Sequence, residues 1–147
     1  MAMNRVKWGI IGCGNVTEKK SGPAFNKVDG SELVAVMRRD ARKAEDYARR
    51  HGIPRFYSDA ALLINDPDVD AVYIATPPDT HASYAIDAMN AGKTVYVEKP
   101  MARTIAECEE MIRVSKLTGQ PMFVAYYRRV LPEYLKIKEL IDNKVIG

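Results

Sequence analysis

Cysteine is scarce in this sequence: Cys13 and Cys108 are far apart and fall in no CxxC or Cys/His spacing. That excludes a disulfide scaffold, argues against structural zinc and favours free thiols in a reducing compartment; no metal site is expected. A strong charge of one sign is also missing, with Lys plus Arg 22 against Asp plus Glu 19, a formal net charge of +3 and no block of like residues. Neither a nucleic-acid partner nor a membrane surface is suggested by such a balance. No apolar run approaches membrane-spanning length, and "MAMNRVKWGIIGCG" lacks the longer apolar segment of a signal peptide, so the expected location is the cytoplasm. Internal repeats and low-complexity tracts are absent as well. Without these aids, 147 residues must be held by one hydrophobic core, which this length allows.

What the sequence does have is a regular alternation. Apolar runs of strand length stand at "RVKWGII" (5 to 11), "ELVAVM" (32 to 37), a weaker "RFY" (55 to 57), "DAVYIAT" (70 to 76), "KTVYVE" (93 to 98) and "PMFVAYY" (121 to 127). Several are continuously apolar, as parallel strands covered on both faces are. Helical patterns with their own punctuation lie between them. Asp40 is placed to cap "ARKAEDYARRH", which stops at Gly52; Thr80 is placed to cap "HASYAIDAMNA", which stops at Gly92. Thr104 with Glu107 spells a capping box for a helix that stops at Gly119. The order predicts an α/β fold with a doubly wound, mostly parallel sheet, the NAD(P)-binding Rossmann arrangement. Its ligand would lie at the carboxyl ends of the strands, where the strand order reverses. In the tail, "VLPEYLKIKELIDNKVIG", Pro132 suits a first helical turn, and Tyr134, Ile137, Leu140 and Ile141 form an apolar face that needs a cover.

"WGIIGCGNVTE" sets Gly12, Gly14 and then Thr17 in a GxGxxG frame directly after the first strand. Alone the pattern is weak; its value comes from the strand before it and the βαβ spacing after it. The first glycine permits a tight turn, and the second lets the backbone approach a pyrophosphate held by amides at a helix N-terminus. Thr17 departs from the frame, so the helix is expected to sit further out, and "KKSGPAF" predicts that it is short or broken. A glycine turn without a nucleotide is the plainer alternative. About 20 residues beyond the loop, where a ribose-binding acid is usual, stand Arg38 and Arg39. A guanidinium offers a fork of donors that fits phosphate oxygens, and a second arginine can lie flat on an adenine, so the pair argues for NADP over NAD. One or two charge-assisted hydrogen bonds of about 1.5 to 3 kcal/mol would shift the cofactor ratio roughly ten- to a few hundred-fold. A solvated strand end would also suit arginine.

"GIIGCGNV", "ATPPDTHASYAIDAMNAGKTVYVEKPMA" (75 to 102) and the "EKP" within it closely resemble the N-terminal domain of the glucose-fructose oxidoreductase / inositol dehydrogenase family, Gfo/Idh/MocA. The resemblance covers essentially the whole chain, and "EKP" is its most specific element. It implies an NAD(P)-dependent oxidoreductase of sugars, polyols or related compounds, with a second α/β domain that carries much of the substrate site. It implies that Gly12, Gly14, Asn15 and Val16 hold the pyrophosphate, and that Thr76, Pro77 and Pro78 line the cofactor with His81 beside them. Glu98 would contact the nicotinamide-side ribose, and Lys99 would bind substrate and relay its proton. A cis Lys99–Pro100 peptide is implied too, which X-Pro bonds tolerate at low cost. Arg128 would reach the cofactor from "YYRR", although Tyr127 stands where an Asn is common.

His81 has a plainer alternative as an exposed first-turn residue, Lys99 as a loop lysine, and Glu98 as its ion-pair partner. Cys13 is read as a small filler, and Trp8 and the strand tyrosines as core. Residues 1–127 are thus expected to form the dinucleotide-binding domain, and 128–147 a crossover helix and the start of a second domain. The remaining relay groups, an Asp and a His, would lie in that second domain, so this chain is expected to bind NADP with little turnover of its own. Two other readings stay open: a stand-alone nucleotide-binding or regulatory module, with self-association or a partner at the uncovered last helix, and half of a glycosidase that uses nicotinamide transiently.

Overall fold

The computed structural model describes residues 5–146; the first residues of the N-terminal stretch and the last of "NKVIG" lie outside them. Six strands form one sheet: β1 (Val6–Ile11), β2 (Ser31–Met37), β3 (Arg55–Tyr57), β4 (Ala71–Ile74), β5 (Thr94–Val97) and β6 (Met122–Val124). Every pairing is parallel, in the order β3-β2-β1-β4-β5-β6. The chain leaves β1 in one direction and returns to its other side at β4. The reversal therefore falls between the carboxyl ends of β1 and β4, where a crevice opens.

The helices are α1 (Asn15–Lys19), α2 (Ala41–His51), α3 (Ala60–Ile64), α4 (His81–Asn90), α5 (Ile105–Thr118) and α6 (Pro132–Asp142). The continuously apolar runs are explained by two cores. Ile11, Val34, Val72, Ile74, Val95 and Val97 pack in one core with Leu63 of α3, Met89 of α4 and Met111 of α5. Ile10, Leu33, Val36 and Tyr73 pack in the other with Tyr47 and Ala48 of α2. All four residues of β4 are buried, as a central strand covered on both faces requires.

Two helix starts behave as expected and one does not. Asp40 accepts from the Lys43 amide at 3.2 Å, and α2 stops at Gly52 in the left-handed region, φ 65°. Thr104 accepts from the Glu107 amide at 3.1 Å. The return bond of that capping box goes to the amide of Arg103 instead, at 2.9 Å. Thr80 takes the N-cap position of α4 but its side chain makes no cap bond, because a 3-10 turn, Pro78–Thr80, already winds the chain there. Its hydroxyl lies instead 2.8 Å from Thr76 Oγ1 and 3.0 Å from the Pro77 carbonyl.

β6 ends at Val124, short of the apolar run that announced it, because the chain turns at Tyr127–Val130. The five-residue α3, capped by Asp59 through the Ala61 amide at 2.9 Å, was not legible in the sequence, being too short to show a helical period. Pro132 does stand in the first turn of α6, and Tyr134, Ile137 and Ile141 on that helix are exposed, with Leu140 half-buried.

Candidate functional site

Four strand ends build the crevice. β1 runs into Gly12 at φ +96°, and a Cβ there would stand 2.9 Å from the Ala75 carbonyl, so only glycine lets this loop lie against the segment after β4. The amides of Gly12 and Cys13 both donate to the Met37 carbonyl, at 2.9 and 3.1 Å, which ties the loop to the end of β2. Gly14 follows in extended conformation at the N-terminus of α1, where a Cβ would meet only the Gly12 carbonyl, at 3.9 Å. The first-turn amides of Asn15 and Val16 have no carbonyl to donate to within the helix. Burial pushes the Cys13 thiol up to about 11, which leaves it a filler of the loop and no thiolate nucleophile.

Thr17, in the place of the third glycine, is fully buried. Its hydroxyl donates back to the Gly14 carbonyl at 2.9 Å, and its own carbonyl accepts from the buried Tyr47 hydroxyl at 2.8 Å. Gly22 packs so closely on that carbonyl and on the Tyr47 hydroxyl that no Cβ would fit. The helix is accordingly short and broken, five residues followed by a 3-10 turn over Gly22–Asn26.

At the end of β2, Arg38 is half-buried and its guanidinium donates to the Cys13 carbonyl at 3.3 Å, while Arg39 is exposed. The acid that follows them in the chain, Asp40, is occupied as the α2 cap and by Lys43 Nζ at 3.6 Å. The Lys43 amide is the main cause of its carboxyl lying below the ordinary range. A cleft of about 460 Å³ opens between Gly12–Gly14, the two arginines and the Thr76–Pro77 turn.

His81 corrects its expectation. It is neither exposed nor placed to touch a ligand: it is 1% exposed, with Nε2 2.8 Å from the Thr76 carbonyl and Nδ1 2.9 Å from the Pro100 carbonyl. The ring joins the loop after β4 to the loop after β5. On that second loop the Lys99–Pro100 peptide is cis, and Lys99 is exposed at the crevice side of the sheet. Glu98 is half-buried; one carboxylate oxygen accepts from the Lys99 amide at 3.2 Å and the other from the Tyr73 hydroxyl at 2.6 Å. Arg128 is not brought into the cleft. It stands on the exposed turn after β6, 3.5 Å from the Tyr134 hydroxyl of α6.

Two contributors escaped the sequence reading. Lys43 reaches the arginine end of the cleft from α2, and Tyr73 reaches Glu98 from β4. Tyr73 had a signal: it pairs with Tyr96, so that Glu98, two residues further on, falls on the same face. That signal needs the register, which no single strand shows.

A parallel sheet of this order, with a glycine turn at its switch point and donors around a cleft there, defines a dinucleotide-binding Rossmann domain. The family described as "Oxidoreductase family, NAD-binding Rossmann fold", Gfo/Idh/MocA, matches residues 6–126. The chain belongs to that family. It is 53% identical over 144 residues to "Oxidoreductase P35" of Formosa agariphila, covering 98% of this chain and 45% of the relative. It is 36% identical to an inositol 2-dehydrogenase of Acidothermus cellulolyticus over 149 residues, all of this chain and 44% of that one. A 3-ketoreductase from Actinomadura kijaniata, solved with NADP and TDP-benzene, superposes with a TM-score of 0.89 at 27% identity, over 98% of this chain and 45% of its own. The chain thus spans less than half the length of these relatives. Among the described residues no helix is long and apolar enough to cross a membrane, and no group of His, Cys, Asp and Glu is placed to hold a metal.

Proposed function

We propose that this chain is the NADP-binding domain of an oxidoreductase that transfers a hydride between the nicotinamide and a carbinol carbon of a sugar, polyol or related compound. The observation that carries the cofactor preference is at the end of β2. Arg38 and Arg39 border the cleft there; Asp40, the carboxylate that follows them in the chain, is spent on capping α2, and Asp79 lines the cleft from the turn after β4. An acid free to accept from the adenosine ribose would repel a 2′-phosphate; a guanidinium fork and Lys43 attract it. The open side of Gly14 supports the fit, because a backbone without a Cβ admits a pyrophosphate to the amides of Asn15 and Val16.

In this reading Gly12 and Gly14 shape the pyrophosphate turn, and Thr76, Pro77 and Pro78 form the opposite wall. Glu98 accepts from the ribose on the nicotinamide side. When bound, the nicotinamide supplies the hydride acceptor. Lys99 Nζ binds the substrate hydroxyl and passes on its proton, and Arg128 would reach the cofactor only by leaving its place beside Tyr134. Positioning the donor carbon is the larger contribution of such a site. The substrate class rests on the named inositol dehydrogenase and on the family.

Calorimetric titration with NADPH and NADH, on the chain and on Arg38→Ala, tests the reading. NADPH is expected to bind about tenfold tighter or more, and the variant to lose that margin. Equal affinities in the unmodified chain would overturn the preference, and binding of neither would overturn the assignment of the cleft.

A further inference from the structure

Tyr73 is placed in the middle of the core yet ends on the site. Its ring is 1% exposed at the third position of β4, 5.3 Å from Phe25 and 5.4 Å from Tyr96 between centroids. A phenylalanine would serve that packing as well. The hydroxyl alone reaches out, 2.6 Å from Glu98 Oε1 and 3.2 Å from Ser21 Oγ. Burial, reinforced by the neighbouring carboxylate, pushes the phenol well above its ordinary range, so the hydroxyl keeps its proton and donates it to Glu98.

The consequence falls on Glu98. Its second oxygen accepts from the Lys99 amide at 3.2 Å, so the carboxylate is held at both ends, by a central strand and by the backbone that follows it. Rotation of the carboxylate would break both bonds. Ser21 stands just past α1, so the same hydroxyl also fixes the distance between Glu98 and the end of the glycine-loop helix.

We propose that Tyr73 is a positioning residue: its hydroxyl fixes the Glu98 carboxylate in the orientation that accepts from the ribose on the nicotinamide side of the cofactor. This rests on the assignment of Glu98 made above. A carboxylate already oriented loses less freedom on binding than one that must be ordered, and the lone pairs left on each oxygen remain available to a ribose diol. A buried tyrosine that merely satisfied its own hydroxyl would affect stability alone and would not distinguish one half of the cofactor from the other.

The test uses two probes, NADPH and adenosine 2′,5′-bisphosphate, which carries the adenine half without the nicotinamide ribose. Tyr73→Phe keeps the ring and removes the hydroxyl. It is expected to weaken NADPH about five- to thirtyfold and to leave the bisphosphate within about twofold. Glu98→Gln is expected to weaken NADPH to a similar degree, and the double variant to lose little more, because both substitutions remove one interaction. Unchanged NADPH affinity in Tyr73→Phe, equal loss for both probes, or full additivity with Glu98→Gln would each overturn the proposal while leaving the cofactor reading in place. Should the unmodified chain bind neither probe, the cofactor reading fails and takes the inference with it.

Discussion

The carbonyls of Thr76 and Pro100 converge on one imidazole, which ties the loop after β4 to the loop after β5. A side chain of similar size without nitrogen would remove this bridge between the two loops. Whichever ring nitrogen carries the N–H, a carbonyl deprived of that donor costs about 1–3 kcal/mol, so His81→Leu is expected to lower the unfolding free energy by about that much. The fall in the urea midpoint reads it directly. NADPH affinity is expected to fall in the same variant, since the Thr76 turn and the loop bearing Lys99 are no longer tied to each other. A variant as stable as the parent would show that the two carbonyls find other partners. Arg38 differs in kind: its bond to the Cys13 carbonyl joins the strand end to the glycine loop before any ligand arrives, and a phosphate would add to that contact.

Between elements, Glu18 is the junction of α1 with the end of α2, where Arg50 and His51 both reach its carboxylate, His51 Nε2 at 3.0 Å. The Arg50 guanidinium is the main cause that holds this carboxyl down at about 2, against an ordinary 4.5, with His51 adding to it. Because the folded value is depressed, the contribution is fully present above about pH 4.5 and is lost as the pH falls through about 2. The urea midpoint of the parent is therefore expected to decline over that window, and Glu18→Gln to flatten the decline while leaving its slope near neutrality unchanged; identical acid limbs would refute this. Caps of this scale were partly legible. Asp40 and Thr104 are read from side-chain chemistry and their spacing to the next donor, which is local information. Thr80 misled because it closes the Pro78–Thr80 turn in helical conformation, so its hydroxyl turns to Thr76 and Pro77 instead of the α4 amides, and α3 hid because five residues carry no period. The bond from Tyr73 to Glu98 and the burial of His81 depend on which strands are neighbours, which the apolar runs do not state.

At the scale of the molecule, the sheet and its crevice are complete while α6 stands apart. The five inner connections follow from buried parallel strands, which is why the alternation in the sequence announced the architecture so directly. α6 packs against the Tyr127–Val130 turn, and Tyr134, Leu135, Ile137 and Ile141 on it remain exposed, near an equally exposed Val130 in the chain. Contiguous apolar surface of this kind favours association in water at about 25 cal/mol for each Å² removed. The 147-residue chain by itself is therefore expected to self-associate with rising concentration, seen as a concentration-dependent sedimentation coefficient. Ile137→Lys together with Ile141→Lys places two charges on that face and is expected to give a monomer with the melting temperature of the parent, because neither side chain belongs to the two cores. A parent that sediments as a monomer at every concentration would sink the prediction. A double variant that loses its cooperative melt would show instead that α6 supports the sheet.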